Sequence, residues 1–296
     1  MISLTLKYTK TIINELKKRK IRKFTDMNKK QLFTRICNDI KSIKIQGATN
    51  VAKAALRAYY LFPEDKTKKI LLSLRPTEPM LVHVIALAGK KPKSEIMNHF
   101  SEAQDKINKN VIKLIKSNSI IFTHCHSTNV IKALVYAKKK GKKFRVYNTE
   151  TRPLFQGRKT AKELTDVGIN VTTFVDSAAE IAMRGDSERK KVDLVLFGAD
   201  ALLEDVVINK VGSGMFAEIA NSNNIPVFIV ADSWKYFPKN IKLEQRDFHE
   251  VWNPKKNTIH IKNPAFEPIE IKNISSIVSD LGIMPYKKFL NIVRKS

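Results

Sequence analysis

The chain has 296 residues, 43% of them hydrophobic, enough to bury a sizeable core in one large domain or two smaller ones. Its 54 lysines and arginines against 28 aspartates and glutamates give a formal charge of +26, a field that favours phosphorylated ligands and nonspecific nucleic-acid contact at low salt. The longest apolar stretches, such as residues 81–88, fall well short of the roughly 20 residues a bilayer helix needs, so a membrane-spanning protein is not expected.

In chain order, helical periodicity runs through residues 11–20, 29–42, 48–60 and 93–116, with no alternating strand pattern among them. From about residue 118 the pattern changes. Short apolar runs at 120–123, 144–147, 171–175, 192–197 and 226–230 alternate with amphipathic segments at 128–139, 160–167, 177–183 and 215–221. This is the rhythm of a parallel sheet with helical crossovers. The expected fold class is therefore α/β, with an N-terminal helical domain over residues 1–116 and a Rossmann-like parallel-sheet domain over residues 117–296. Residues 239–263 are charged and poor in apolar runs, and read as an excursion before a last strand near 274–278.

The opening ten residues lack a secretory apolar region, which predicts a cytoplasmic protein. Two cysteines, Cys37 and Cys125, lie far apart with no zinc or redox spacing, so neither a metal nor a disulfide is expected. Cys37 falls in a helix-like pattern and reads as packing. Neither a GxGxxG fingerprint nor a Walker-type loop is present, and no cofactor is expected. Most of the basic excess is lysine scattered in runs such as 17–20 and 138–143, without the arginine and aromatic interleaving of an RNA-binding face.

Two short segments carry chemistry. Thr123-His124-Cys125-His126-Ser127 and Gly198-Ala199-Asp200 each follow an apolar run, so a thiol and a carboxylate stand at the carboxyl ends of two predicted strands. Open α/β sheets bind ligands there. Cys125 and Asp200 are thus a candidate base and acid for moving protons on a small metabolite. Such work requires burial to raise the carboxyl and nearby positive charge to lower the thiol. If the strand continues through His124 and His126, both point away from the thiol face and take packing or supporting roles.

Several separated motifs resemble one superfamily, which joins sugar-1-phosphate aldose–ketose isomerases to the regulatory subunits of translation initiation factor 2B. They are Glu150-Thr151-Arg152-Pro153-Leu154-Phe155-Gln156-Gly157-Arg158, then Phe197-Gly198-Ala199-Asp200, Ile208-Asn209-Lys210-Val211-Gly212 and Lys262-Asn263-Pro264-Ala265-Phe266-Glu267. Within that superfamily, Thr123-His124-Cys125-His126-Ser127 and Leu74-Arg75-Pro76-Thr77 are most similar to the archaeal ribose-1,5-bisphosphate isomerases.

The resemblance implies conversion of ribose 1,5-bisphosphate to ribulose 1,5-bisphosphate in nucleoside monophosphate (AMP) salvage, with Cys125 as base and Asp200 as acid. It implies substrate binding by Gln46, Gly47, Ala48, Thr49, Arg75, Ser127, Thr128, Asn129, Asn209, Lys210 and Lys235. It also implies a homohexamer built as a trimer of dimers; a nucleotide stands as a candidate activator that the sequence leaves open. Arg152 and Gln156 belong to the signature with either a packing or a substrate role. Gln46 and Thr128 replace the Arg and Lys usual in the archaeal isomerases, and Gly212-Ser213 replaces Gly-Thr. The alternative readings are a noncatalytic factor-2B-like regulatory subunit, and an isomerase of another pentose 1-phosphate such as methylthioribose 1-phosphate.

Overall fold

A computed structural model describes residues 28–45, 47–76, 78–255 and 258–295. The helix expected over 11–20 lies outside the described residues. The N-terminal layer consists of α1 (residues 28–41), α2 (Ala48–Tyr59), α3 (Asp65–Leu74), α4 (Pro79–Leu87) and α5 (Lys93–Leu114). Their apolar faces converge on Ile40, Val51, Leu56, Leu71, Met80, Leu81 and Ile96, all fully buried. The short α3 and α4 were not expected from periodicity. The segment after Glu78 is apolar on nearly every side, and Pro79 at its first turn starts the helix with φ already set.

Then follow β1 (Ser119–Thr123), α6 (Thr128–Lys139), β2 (Phe144–Thr149), α7 (Gln156–Thr165), β3 (Asn170–Phe174), α8 (Ala179–Arg184) and β4 (Leu194–Phe197). The remaining elements are β5 (Ala201–Leu202), β6 (Val206–Lys210), α9 (Ser213–Ser222), β7 (Val227–Val230), β8 (Phe266–Glu270), β9 (Ser276–Ser279), β10 (Gly282–Met284) and α10 (Tyr286–Val293). Among the described residues seven strands form one sheet in the order β10-β9-β7-β4-β1-β2-β3, parallel throughout except for the β9–β10 pair at one edge.

Strand alternation explains how both faces of this sheet are covered. Ile120, Phe122, Val195, Phe197 and Ile229 point to one side, where α8, α9 and α10 bring Met183, Phe216 and Phe289. Ile121, Leu194, Leu196 and Val230 point to the other, against Leu134 of α6, Leu164 of α7, and Ile107 and Val111 of α5. The amino-terminal half of α5 packs with the helical layer through Ile96 and Phe100, so this one helix ties the two layers together.

A second, antiparallel sheet, β5-β6-β8, was not expected. Its strands are short, and β5 and β8 are about 65 residues apart in the chain, so no local alternation marks them. Among its described residues the excursion over 239–263 contains one short 3₁₀ turn, Phe248–Glu250, and no strand. No helix among the described residues is long and apolar enough to cross a membrane.

Candidate active site

The strand order reverses at one place. From β1 the chain moves outward to β2 and β3, then returns to put β4 on the other flank of β1. Neighbouring strand ends whose chains leave in opposite directions open a crevice, and Cys125 follows β1 while Asp200 follows β4. A crevice of about 1110 Å³ open to solvent lies there, roofed by the amino-terminal helices.

β1 stops at Thr123 rather than continuing through the histidines. Cys125 takes φ +63°, in the left-handed region that only a few per cent of non-glycine residues occupy. The turn is held on both sides. The Cys125 N–H donates to Thr151 Oγ1 at 3.0 Å, and Thr160 Oγ1 donates to the Cys125 carbonyl at 2.7 Å. Thr151 is fixed in turn by its N–H donating to Asp176 Oδ1 at 2.9 Å. The signature around Thr151 therefore works here as the brace of the Cys125 turn.

This turn corrects the expected geometry of the histidines. His124 is buried, with Nε2 2.9 Å from the Val211 carbonyl and Nδ1 2.5 Å from Thr149 Oγ1. A carbonyl can only accept, so Nε2 carries the hydrogen and the Thr149 hydroxyl donates to Nδ1. Burial holds this imidazole down at about 4, so it stays neutral at physiological pH. His126 lies 3.1 Å from Glu163 Oε2. Both histidines serve the surroundings of the thiol, as expected, but through the turn and not through strand alternation.

Asp200 immediately precedes the β5–β6 hairpin, its N–H donating to the Ile208 carbonyl at 2.8 Å. It caps no helix. Burial raises its carboxyl above the ordinary range, while Lys235, Lys210 and Arg75 pull it back. That is the direction an acid requires. The thiol behaves differently from expectation: burial pushes Cys125 up to about 12, outweighing the pull of Lys210, and the carboxylate of Asp200 adds to the rise. Burial thus favours the protonated thiol, because one cation does not repay its desolvation.

Gly47, Ala48, Thr49, Arg75, Ser127, Thr128, Asn129, Asn209, Lys210 and Lys235 all line this crevice with Cys125 and Asp200. Gln46 lies outside the described residues. Lys235 is buried, donating to the Ala199 carbonyl at 2.6 Å and lying 3.4 Å from Asn129 Oδ1. Asn209 Nδ2 donates to Ser213 Oγ at 2.8 Å, and Ser127 Oγ accepts the Val130 N–H at 3.5 Å as the cap of α6. Gly198 lets β4 approach that cap, because a Cβ there would fall 2.5 Å from Ser127 Oγ.

Of the two undecided signature residues, Gln156 lines the crevice, and its buried Oε1 has no partner among the described residues. Arg152 does not line it, and donates to the Val251 carbonyl at 3.1 Å. Glu78, Lys159, Glu244 and Arg246 also line the crevice and were missed. Arg75 Nη2 donates to Glu78 Oε1 at 2.9 Å and to Glu244 Oε2 at 3.1 Å, so the expected anion anchor is clamped by two carboxylates. Glu78 was legible as the residue after Arg75-Pro76-Thr77; nothing in the pattern of 239–263 marked Glu244 and Arg246.

Five cationic side chains, Arg75, Lys159, Lys210, Lys235 and Arg246, face three carboxyl groups, Glu78, Asp200 and Glu244, among the described lining residues. A crevice with this surplus of positive charge, a thiol and a raised carboxyl at a sheet switch point suits acid–base chemistry on a small anionic ligand. Fold and crevice together define an α/β protein with its site between a helical layer and the carboxyl edge of a parallel sheet.

The chain belongs to the initiation factor 2 subunit family, whose model matches residues 90–286. It is 33% identical to the ribose 1,5-bisphosphate isomerase of Methanocaldococcus jannaschii, over 86% of this chain and 92% of that protein. The fold is shared with a translation initiation factor eIF-2B of Pyrococcus horikoshii OT3, at a TM-score of 0.73 and 24% identity, covering 86% of this chain and 96% of that one. It is shared equally with the 5-methylthioribose 1-phosphate isomerase of the same organism, at a TM-score of 0.73 and 24% identity, covering 89% of this chain and 87% of that one.

The raised thiol gives a measurable consequence. Alkylation of Cys125 by iodoacetamide, followed on its peptide by mass spectrometry, should keep accelerating with pH through pH ~10, since only the thiolate reacts. A plateau below about pH 9 would show an ordinary or activated thiol instead.

Proposed function

We propose that this protein is an aldose–ketose isomerase that converts ribose 1,5-bisphosphate to ribulose 1,5-bisphosphate, as a step of nucleoside monophosphate salvage. The observation that carries the reading is the pairing of Cys125 and Asp200 on adjacent strand ends inside a cationic crevice, in a chain whose full-length relatives bear that isomerase name.

A sugar with phosphate on its anomeric oxygen does not open its ring unaided. An acid must protonate the ring oxygen as a base removes the hydrogen on C2. Asp200, raised by burial, supplies the acid, and Cys125 is the base. To act as base Cys125 first gives up its own proton to solvent; a proton on Asp200 eases that step by removing one of the charges that raise the thiol, and Lys210 pulls the same way against the burial that dominates. The proton of C2 then returns to C1 from the thiol, and the C2 hydroxyl becomes the ketone.

Lys210, Lys235 and Asn209 are assigned to the phosphate groups, with Gly47, Ala48 and Thr49 at the amino end of α2 offering backbone N–H groups to an anion. Ser127, Thr128 and Asn129, in the first turn of α6, line the same wall. Arg75 joins them once a phosphate displaces Glu78 or Glu244 from its guanidinium. The arrangement of a thiol and an acid on facing strand ends also favours catalysis over a purely regulatory role.

Cys125→Ser and Asp200→Asn nearly preserve volume while removing the base or the acid. Each should cut kcat for ribose 1,5-bisphosphate by about a hundredfold or more, with the circular dichroism and melting temperature unchanged. A variant keeping more than about a tenth of wild-type kcat would remove that residue from its role. Wild-type protein inactive on ribose 1,5-bisphosphate but active on methylthioribose 1-phosphate would transfer the assignment to the second sugar.

The protein is further proposed to assemble as a hexamer made of three dimers, its exposed apolar side chains such as Val175, Ile181 and Met215 being suited to cover in a symmetric oligomer. Light scattering at micromolar concentration should then give six times the 33.8 kDa chain mass. A 33.8 kDa species would contradict assembly altogether.

A further inference from the structure

Glu78 occupies the cap position of α4, yet its carboxylate takes no helix amide. Its side chain is 6% exposed. Oε1 accepts from Arg75 Nη2, whereas Oε2 is buried with no hydrogen-bond partner among the described residues. A buried carboxylate oxygen without a donor is destabilising, unless the group is protonated or a ligand supplies the missing bond. Glu78 lines the main crevice with Asp200, and the same two residues line a smaller adjoining cavity of about 260 Å³.

We propose that Glu78 is a second proton-handling carboxylate of this site, exchanging one proton with Asp200 and receiving the proton that leaves the substrate's C2 hydroxyl. This rests on the isomerase reading above. The reaction itself calls for such a group. In the first half Asp200 gives its proton to the ring oxygen, the C1–O bond to that oxygen breaks, and Cys125 takes the hydrogen from C2. The electron pair of that C–H bond becomes the C1–C2 double bond. In the second half the thiol returns its proton to C1, and the enol hydroxyl on C2 must lose one. Asp200 has just delivered its proton to a different oxygen, on C4. Glu78 takes the C2 hydroxyl proton and passes it to Asp200, which restores the starting state with no net gain or loss.

The surrounding charges agree with one proton shared by the pair. Burial and the neighbouring Asp200 push Glu78 up to about 7, with Glu244 adding to the rise, while Arg75 and Lys235 pull it down. Asp200 faces the same Arg75, Lys235 and Glu244, together with Lys210, and is likewise raised by burial. Two carboxyls in one poorly solvated pocket hold their last proton up to neutrality as a pair.

Glu78→Gln, assayed with ribose 1,5-bisphosphate, should lower kcat by about a hundredfold or more without raising KM, because Arg75 is then freer to meet a phosphate. Asp200 loses a like-charge neighbour in that variant, so the alkaline limb of the kcat profile should move to lower pH. Glu78→Asp should recover part of the loss. A role limited to holding Arg75 would instead raise KM and leave that limb in place, and either that result or a kcat within tenfold of wild type would overturn the proposal. The shared proton is read without turnover by ¹³C NMR of the side-chain carboxyls in the substrate-free protein. One resonance should titrate near neutrality and vanish in Glu78→Gln. If no carboxyl titrates above about pH 6, well beyond the ordinary Asp and Glu range, the pair does not exist, whatever sugar the wild type turns over.

Discussion

The reversal of strand order between β1 and β4 is the constraint on which the rest depends. It makes two adjacent parallel strands end side by side with their chains departing in opposite directions, so nothing local fills the gap between them. The left-handed turn at Cys125 and the hairpin after Asp200 then face one space. The braces of that turn come from Thr151 and Thr160, which follow β2, so the thiol's position is set by a neighbouring crossover and not by its own strand alone. A packed sheet covered on both faces supplies the rigidity that an unfavourable backbone angle requires.

Carboxylates restrain the two guanidinium groups of the crevice. Arg75 is held by Glu78 and Glu244, and Arg246 by Glu250 and Glu244, a network that joins the helical layer to the excursion over 239–263. An incoming phosphate carries roughly −1.5 to −2 charges and competes for those guanidinium groups. Lys235, buried and lowered by that burial, is steadied by Asp200, Asp232 and Glu78. Asp200, Arg75 and Lys235 are thus electrostatically coupled, and a change at any one of them alters the others.

Much of this was legible in the sequence because the main sheet is built of apolar runs bounded by chemistry. Each of its first five strands was read to within about two residues, and the ends of two gave Cys125 and Asp200. Crevice-lining residues such as Lys210 and Lys235 were reached by resemblance, since a lysine in so basic a chain carries no signal of its own. What was not legible arises from pairing at a distance. The β5-β6-β8 sheet joins segments far apart in the chain, and Glu244 acquires a role only when its loop folds across Arg75. The direction of the thiol's shift was also misjudged, because residue spacing shows which charges approach a group but not how much solvent it loses.

The most direct test of the central claim is a crystal structure of Cys125→Ser with ribose 1,5-bisphosphate bound. The account predicts the sugar between the carboxyl ends of β1 and β4, its C2 hydrogen facing position 125, its ring oxygen within hydrogen-bond reach of Asp200, and its phosphates on Lys210 and Lys235. A sugar bound elsewhere, or held in that crevice with C2 turned away from position 125, would contradict it.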